Sequence, residues 1–372
     1  MLYQLSYRLL NKSRGSTEGI TAEQYYDSKT VMNVGLIGTG AIAHKHAQAY
    51  KNIGFKIVAV SNKTPERGKA FAEQYGAEFF ADHEDVCTHP KVDFIDLCTF
   101  PDIRLHPLKI AARAGKHVQV QKPIAIDVST AREMVDICRQ HNVLLTVVSQ
   151  GRWNDSIQFL KRAISDNRLG TIFQADAYVK WWRSEEYYSR PIKGSWNVEG
   201  GGSLINQGIH QVDWLLYLFG SVTQVFAQWH LGVRHKIESD DVLSALLRYE
   251  NGATGVIQTS TAMWPGFTER IEIHGTRGSA ILAGDRLTRW EVVDDSGEPA
   301  PVASDVSSGS SDPMAISLLP FERQFLDFAD AIKKHRQPMI SGEEGLRALE
   351  LVQSIYQSAR ENRLVQIGHS RG

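Results

Sequence analysis

The stretch that most constrains the fold is 34–43, which reads VGLIGTGAIA. Its apolar start, Val34–Ile37, predicts a buried parallel strand. The pattern that follows has Gly38 for a tight turn, Gly40 where backbone can approach a pyrophosphate, and Ala43, which is small enough for helix and strand to pack. The first N–H groups of the next helix would face the phosphates. Glycines at a strand–helix junction can also be present only because the turn requires them, so other motifs in the chain are needed to establish a dinucleotide site.

Composition narrows the class of protein. The chain has 372 residues, with 41 lysines and arginines against 42 acidic residues. This length predicts two domains, and the absence of a basic excess argues against nucleic acid as a partner. No apolar run is long enough to span a bilayer, so we expect no membrane contact. The three cysteines have no CxxC spacing, which favours reduced thiols in a cytoplasmic protein and no metal site.

The order of predicted elements divides the chain into three parts. Residues 1–31 lack turn-bounded apolar runs, and we interpret them as a native extension or a cloning remnant. Strands and helices alternate over 32–150, which predicts a doubly wound parallel sheet of the Rossmann type. Over 151–372, strands joined by short turns, one of them a hairpin turn at Asn251-Gly252, predict an α+β domain with a mostly antiparallel open sheet. The fold class is therefore α/β, and the last two helices could pack back on the first domain.

The end of the second predicted strand bears on the choice of dinucleotide. An acidic residue there would bind the adenosine ribose hydroxyls and select NAD. This chain instead has Ser61, Asn62 and Lys63, with Arg67 in the next helix. These residues could hold a 2′-phosphate, which slightly favours NADP, or Lys63 and Arg67 could be solvated surface charges.

Other candidate contacts follow from their place at the carboxyl ends of strands. Ligands bind at that edge of an open parallel sheet. The loop at Thr99–Pro101 follows the predicted strand Val92–Cys98, and Lys122 stands where the next strand ends. The predicted dinucleotide contacts are Gly38, Thr39, Gly40, Ala41, Ile42, Ser61, Asn62, Lys63, Arg67, Thr99, Pro101, His106, Gln121 and Lys122.

A second informative stretch begins with the triple glycine 200–202. Asn206, His210 and Asp213 follow at i, i+4 and i+7, on one stripe of an otherwise apolar helix. A buried polar stripe is costly unless it is paired or used. Either His210 and Asp213 form a hydrogen bond with each other in the core, or His210 faces a cleft and acts as an acid/base. The three glycines at 200–202 would either let the backbone approach a flat ligand closely or form a flexible hinge.

Taken together, several motifs resemble those of the glucose-fructose oxidoreductase/inositol dehydrogenase (Gfo/Idh/MocA) family over Met32 to Ile367. They are Gly38-x-Gly40-x-x-Ala43, Gly115-Lys116-His117-Val118, Lys122-Pro123, Gly200-Gly201-Gly202…Asn206…His210…Asp213 and Gly275-Thr276-x-Gly278. The resemblance implies NAD(P)-dependent hydride transfer at a hydroxyl or keto carbon of a sugar, glycoside or cyclitol. It also implies a homodimer or homotetramer formed through the open sheet. Two alternatives stay open: a dinucleotide-binding regulator without chemistry, and a redox-assisted NAD-dependent glycosidase.

The resemblance also implies catalytic roles. Lys122 matches the family lysine that hydrogen-bonds the reacting oxygen, and His210 matches the histidine that takes or relays the hydroxyl proton. Many members have Asp where this chain has Asn206, which cannot act as a base and would only orient its neighbours. The family's Glu-Lys-Pro is Gln121-Lys122-Pro123 here, and loss of that carboxylate favours a lower pKa for Lys122.

A tryptophan-rich loop after the strand ending at Lys180 is a candidate substrate wall. Its aromatic faces suit the C–H faces of sugars, and Arg183 could meet a carboxylate or hydroxyls; core or subunit contact is the alternative. The candidate wall is Trp181, Trp182, Arg183, Tyr187, Tyr188 and Trp196, with Arg152, Trp153 and Asn154 nearby. The predicted substrate contacts are Lys122, Arg152, Trp182, Arg183, Tyr188, Trp196, Asn206 and His210.

Overall fold

The computed structural model describes residues 31–190, 192–303 and 317–368. The predicted leader 1–31 lies outside these residues except for its last position. The stretch Asp295–Pro313 is rich in Ser, Asp, Gly and Pro, which predicts a surface loop, and its part from residue 304 onward lies outside the described residues too.

A six-stranded parallel sheet forms the first half of the molecule, in the order β3-β2-β1-β4-β5-β6. Its strands are β1 (Asn33–Ile37), β2 (Lys56–Ser61), β3 (Glu78–Phe80), β4 (Phe94–Leu97), β5 (His117–Gln121) and β6 (Leu145–Val148). The intervening helices are α1 (Ala41–Asn52), α2 (Pro65–Tyr75), α3 (His83–Thr88), α4 (Leu105–Arg113) and α5 (Val128–Gln140). The predicted doubly wound parallel sheet is confirmed. The sequence did not predict β3, because three residues carry too little periodicity. The predicted strand Val92–Cys98 is therefore the fourth strand of the chain, β4.

The strand order reverses beside β1, and this fixes where a ligand can bind. β1 pairs with β2 on one side and with β4 on the other. Connections leave the sheet in opposite directions at such a switch point, which opens a crevice at the carboxyl ends of the strands. The glycine loop after β1 lies at this crevice.

An eight-stranded sheet forms the second half, in the order β13-β12-β11-β7-β10-β9-β8-β14. Its strands are β7 (Ile172–Lys180), β8 (Val222–Leu231), β9 (Asp240–Tyr249), β10 (Thr254–Ser260), β11 (Arg270–Gly275), β12 (Gly278–Ala283), β13 (Arg286–Val292) and β14 (Val365–Gln366). Among its pairings only β7 with β10 is parallel. The prediction of a mostly antiparallel sheet is confirmed.

Helices cover one face of this sheet and join it to the first. They are α6 (Asp155–Ser165), α7 (Glu185–Tyr188), α8 (Trp196–Glu199), α9 (Ile209–Phe219), α10 (Leu319–Lys334) and α11 (Gly342–Glu361). α10 returns to the first sheet, where Phe321, Phe325 and Phe328 share a buried core with Val34 and Leu36. Within the described residues, no helix combines the length and apolar character needed to cross a membrane.

Candidate functional site

A cleft of about 1080 Å³ opens at the carboxyl edge of the parallel sheet. The glycine loop after β1 borders it on one side, and α9 of the second half borders it on the other. Both Lys122 and His210 face this cleft. All of the predicted dinucleotide contacts border it as well, although their contact with a dinucleotide stays a prediction.

The glycine loop has the features of an anion cradle. Gly38 has φ +92°, and a Cβ there would lie 3.0 Å from the Cys98 backbone, so only glycine fits. Among the described residues, no side chain caps α1 and no acidic residue stands in its first turn. The hydroxyls of Thr39 and Thr99 are buried, and no partner for either is found in the described structure. Donors left open at a helix N-terminus suit a pyrophosphate, so these residues fit a dinucleotide.

The residues after β2 line the part of the cleft predicted to hold adenosine. The side-chain oxygen of Asn62 accepts a hydrogen bond from the Thr39 amide at 3.3 Å, and its amino group donates to the Thr64 carbonyl at 2.9 Å. Asn62 therefore braces the glycine loop. Ser61, Lys63 and Arg67 border the open cleft beside it.

Lys122 and His210 are coupled electrostatically across the cleft. Burial, followed by the positive charge of Lys193, lowers the pKa of Lys122 to about 8. Burial, followed by the positive charge of Lys122, lowers the pKa of His210 to about 3. At neutral pH His210 is therefore an uncharged imidazole that can accept a proton, and Lys122 is mostly a cation.

A π-helical turn at Leu204–Gly208 presents the third catalytic candidate. The Lys122 ammonium donates to the Asn206 carbonyl at 2.6 Å. The Asn206 side-chain amide donates to the carbonyls of Gly201 and Gly202 at 3.0 and 3.2 Å. Such turns are frequent at functional sites because they redirect backbone groups from the regular helical ladder. The helical spacing of this stretch did not predict the π turn.

Asp213 does not pair with His210. Its carboxylate accepts two hydrogen bonds from the Arg152 guanidinium, at 2.6 and 2.9 Å, and one from the Ser149 hydroxyl at 2.6 Å. Arg152 is 1% exposed and also pairs with Glu344 at 2.7 Å. This corrects the prediction that Arg152 contacts substrate, because its guanidinium is committed to two carboxylates in the core. The neighbouring candidates Trp153 and Asn154 do not border the cleft either.

The tryptophan-rich loop splits into two sets of side chains. Trp181 and Arg183 border the cleft, whereas Trp182 between them packs against the Trp264 ring with centroids 5.4 Å apart. The loop is extended here and pairs with the Ser260–Ala262 segment, so successive side chains alternate in direction. The prediction that Trp182 lines the cleft is therefore corrected.

Two further candidates of the predicted wall lie away from the cleft. The Tyr188 hydroxyl donates to the Thr261 hydroxyl at 2.8 Å. The Trp196 indole donates to the Glu238 carbonyl at 3.1 Å and packs on Tyr356. These contacts correct the substrate role predicted for Tyr188 and Trp196, while Tyr187 does border the cleft.

Several residues border the cleft although the sequence did not predict them as site residues. Lys193 pairs with Glu199, whose other oxygen accepts from the Gly194 amide at 2.8 Å. Arg104, 2% exposed, donates to the carbonyls of Gln121 and Pro123 and so braces the turn that carries Lys122. No periodic signal marks these positions. The other missed lining residues include Lys45, His83, Gln150, Arg190, Gln207 and Phe321.

The triple glycine packs against protein. A Cβ on Gly202 would lie 1.9 Å from the Asp240 carbonyl oxygen, and one on Gly201 would lie 2.5 Å from the Tyr356 hydroxyl. The Asp240 carboxylate accepts from the amides of Gly202 and Leu204, both at 2.9 Å. The glycines are therefore needed for close packing at the start of the π turn, and the expected approach of a flat ligand is corrected.

A buried polar cluster lies beneath the cleft. One donor atom from each of His46, Asp96 and Cys98 falls within 4.8 Å of the others, a grouping that could hold a metal ion. His46 Nδ1 already pairs with Asp96 at 2.7 Å, and the Tyr50 hydroxyl donates to the same carboxylate oxygen at 2.8 Å. His46 Nε2 contacts the Gln121 amide at 2.7 Å, so these bonds give the cluster a structural role next to Lys122.

The fold and the cleft together define a two-domain dinucleotide-binding protein. Residues 32–149 match the family described as an oxidoreductase family with an NAD-binding Rossmann fold, and residues 157–281 match the GFO/IDH/MocA C-terminal domain. The chain belongs to the Gfo/Idh/MocA family of oxidoreductases.

Individual relatives support the same assignment. A D-apiose dehydrogenase of Paraburkholderia graminis is 29% identical, with 89% of this chain and 88% of the relative covered. A myo-inositol 2-dehydrogenase of Thermotoga maritima is 26% identical, with 90% and 98% covered. The crystal structure of the WlbA dehydrogenase from Bordetella pertussis in complex with NADH and UDP-GlcNAcA is similar, with TM-score 0.82, 28% identity, and 92% of this chain and 99% of that chain covered.

Proposed function

We propose that this protein is an NAD(P)-dependent dehydrogenase that oxidises a CH–OH group of a sugar, glycoside or cyclitol, or reduces the corresponding ketone. The observation that carries the proposal is the position of Lys122 and His210 at the same cleft as the glycine loop. The names of the relatives, which are dehydrogenases of sugars and of a cyclitol, support the substrate class.

The two side chains divide the proton chemistry. A bound nicotinamide would supply the hydride acceptor or donor. His210, uncharged at neutral pH, takes the proton from the substrate hydroxyl. Lys122 donates a hydrogen bond to the same oxygen and stabilises negative charge as it develops there. Asn206 is bonded to the glycine carbonyls and holds its own carbonyl against Lys122, so it acts as a positioning residue.

The dinucleotide preference is the finer part of the proposal. The family description supports NAD(H). Ser61, Lys63 and Arg67 border the cleft after β2, at the place where a carboxylate would repel a 2′-phosphate. We propose that NADP is also accepted and is slightly preferred.

A dehydrogenase screen tests the proposal. The full chain is incubated with pyranoses, cyclitols and glycosides, with NAD and NADP side by side, and reduced cofactor is followed by absorbance. At least one compound should give net NADH or NADPH. Cleavage of glycosides without net reduced cofactor would indicate the redox-assisted glycosidase instead. Tight dinucleotide binding without turnover on the whole panel would indicate a regulator.

Two variants test the assigned roles on the compound that the screen identifies. Lys122→Ala and His210→Ala should each lower kcat/KM by roughly 10²- to 10⁴-fold, the usual range for a lost acid/base group. Lys69→Ala and His141→Ala, which change exposed residues outside the cleft, are matched controls. Near wild-type turnover in either test variant would remove that residue from the mechanism.

We also propose a homodimer or homotetramer formed through the open face of the second sheet. Leu246 is 59% exposed on that face, and its sheet neighbours Phe226 and Val256 stand opposite it in register. Such an apolar row is favourable to bury against a second copy. Light scattering after size exclusion should give a multiple of the 41.6 kDa chain mass, and Leu246→Glu should lower it.

A further inference from the structure

Positive charge gathers where the substrate must bind. Among the described residues that border the cleft, nine are lysines or arginines and two are carboxylates, although the chain as a whole has a net charge of −1. A bound dinucleotide would bring its phosphates to the cations near the glycine loop. Three other cations come from the second half of the chain, and we name Arg183, Arg190 and Lys193 the cationic wall.

The cationic wall stands beside the atoms that react in the proposed function. Arg183 and Lys193 both lie over the Tyr187 ring, and the Tyr187 hydroxyl accepts a hydrogen bond from Gln207 at 3.3 Å. Gln207 adjoins Asn206, whose carbonyl accepts from Lys122, and all of these residues border the same cleft. Burial is the largest cause that lowers the pKa of Lys122, and the positive charges of Lys193 and Arg183 lower it further, while Glu199 raises it. A substituent one or two bonds from the reacting carbon would therefore face the wall.

Arg183 is held rigidly, as a preformed anion site requires. It is 7% exposed, and its guanidinium carbon lies 4.8 Å from the Trp181 ring centroid and 5.8 Å from that of Tyr187. Its Nη1 donates to the Trp182 carbonyl at 2.9 Å. A guanidinium fixed in this way matches the two oxygens of a carboxylate or phosphate and loses little side-chain entropy on binding.

The same contacts argue against stacking of a neutral sugar on this wall. The Tyr187 ring already carries the Lys193 ammonium at 5.0 Å and Arg183 at 5.8 Å, and Arg183 also lies over Trp181. Cations therefore already lie over Trp181 and Tyr187, which are the predicted wall aromatics that border the cleft. The carboxylate bordering this end is Glu199, which Lys193 and the Gly194 amide already hold.

Building on the proposed function, we propose that the substrate is a sugar or cyclitol that carries an anionic group, a carboxylate or a phosphate, and that Arg183 and Lys193 bind this group. The anion offsets the positive charge around Lys122 and so favours the protonated lysine that the reaction needs. Binding of the correct substrate thereby helps to set the charge state of the catalytic residue.

Matched ligand series separate charge from stereochemistry. The full chain, saturated with NADH, is titrated calorimetrically with D-glucose, D-glucuronate and D-glucose 6-phosphate, and with the corresponding galactose and mannose series. At least one anionic compound should bind tenfold or more tightly than its neutral parent. The acid and phosphate arms show which anion the wall prefers.

Variants of the cationic wall test whether its residues cause the tighter binding of the anionic compound. Arg183→Gln and Lys193→Gln should each weaken the anionic compound tenfold or more and leave its neutral parent within twofold. Arg289→Gln removes an exposed charge on β13 and is the matched control. NADH affinity and far-UV circular dichroism verify folding. If Arg183→Gln does not fold, the wild-type protein should still lose affinity for the anion as salt rises, but not for the neutral parent.

The outcomes distinguish this inference from the proposed function. Equal or tighter binding of the neutral parent in every series overturns the inference, and so does failure of every anionic compound to bind. If the protein turns over a neutral sugar but does not bind the corresponding sugar acid, the proposed dehydrogenase function stands and the anion-binding role of the cationic wall is refuted. Selective anion binding without hydride transfer supports the wall and refutes the proposed function.

Discussion

The buried ion pair between Arg152 and Asp213 offers the sharpest test of a residue reassigned by the structure. The side chains of Arg152 and Asp213 are 2% and 5% exposed, and Glu344, the second partner of Arg152, is 24% exposed. Asp213→Asn keeps the shape of the side chain but removes its charge. The guanidinium then remains buried with only Glu344 opposite.

The structure sets the size of the expected loss. Breaking a fully buried charge pair by removing one partner costs roughly 3 to 5 kcal/mol when the other charge is left uncompensated. Glu344 still faces Arg152 in this variant, which places the expected loss near the lower end of that range. For a domain of 150 to 250 residues, at about 2 to 4 °C per kcal/mol, that range corresponds to a fall in Tm of roughly 6 to 20 °C. The double variant Arg152→Met with Asp213→Leu should lose less stability than the sum of the two single variants, because neither charge of the pair remains buried without its partner. Glu344 stays paired in the double variant through Arg347 at 2.7 Å.

Differential scanning fluorimetry measures these losses on Asp213→Asn and on the four proteins of the cycle, which are the wild type, Arg152→Met, Asp213→Leu and the double variant. Arg162→Met is the control, since its pair with Glu298 is largely exposed and should contribute about 1 kcal/mol or less. The reasoning is refuted if Asp213→Asn costs below about 1 kcal/mol, or if the single losses add. A variant of Arg152 that keeps its Tm but raises KM would restore that residue as a substrate contact.

Three further predictions follow from the site. In the oxidation direction, kcat/KM should stay constant up to about pH 8 and fall above it, because Lys122 has a pKa of about 8 and loses its proton there. His210 has a pKa of about 3, so kcat/KM should not fall on acidification until about pH 4. A kcat/KM that rises through pH 8 would instead make Lys122 the base. Lys63→Ala should raise the KM for NADP by roughly tenfold and that for NAD by less than twofold, as initial rates would show; equal effects would make it a surface charge. Gly202→Ala should lower Tm or prevent folding, because its Cβ would lie 1.9 Å from the Asp240 carbonyl oxygen; an unchanged melting curve would contradict the packing.

Local pattern was enough to predict the framework of the molecule. Glycine spacing after an apolar run predicted the turn at Gly38 and the helix behind it. Alternating elements predicted the parallel sheet, and the turn at Asn251-Gly252 predicted a hairpin, which β9 and β10 form. Each of these signals depends on residues within a few positions of one another, so chain order alone carries it.

Side-chain direction was the main source of error. The loop from 181 to 196 contains six aromatic or charged candidates, and its sequence does not say which alternate residues face the cleft. Pairing with the Ser260–Ala262 segment decides this, turning Trp181 and Arg183 inward and Trp182 away. That segment lies almost eighty residues further along the chain, beyond the reach of any local pattern.

Sequence by itself determined which residues are candidates for the chemistry, since a lysine at a strand end and a histidine on a helical stripe are set by local spacing. Only the tertiary structure decided what surrounds them. Asp213 pairs with Arg152, the Asn206 carbonyl contacts Lys122, and burial together with the charge of Lys193 lowers the pKa of that lysine. The physical reason is that charge pairing and burial act through space, between residues that the chain separates by up to about ninety positions.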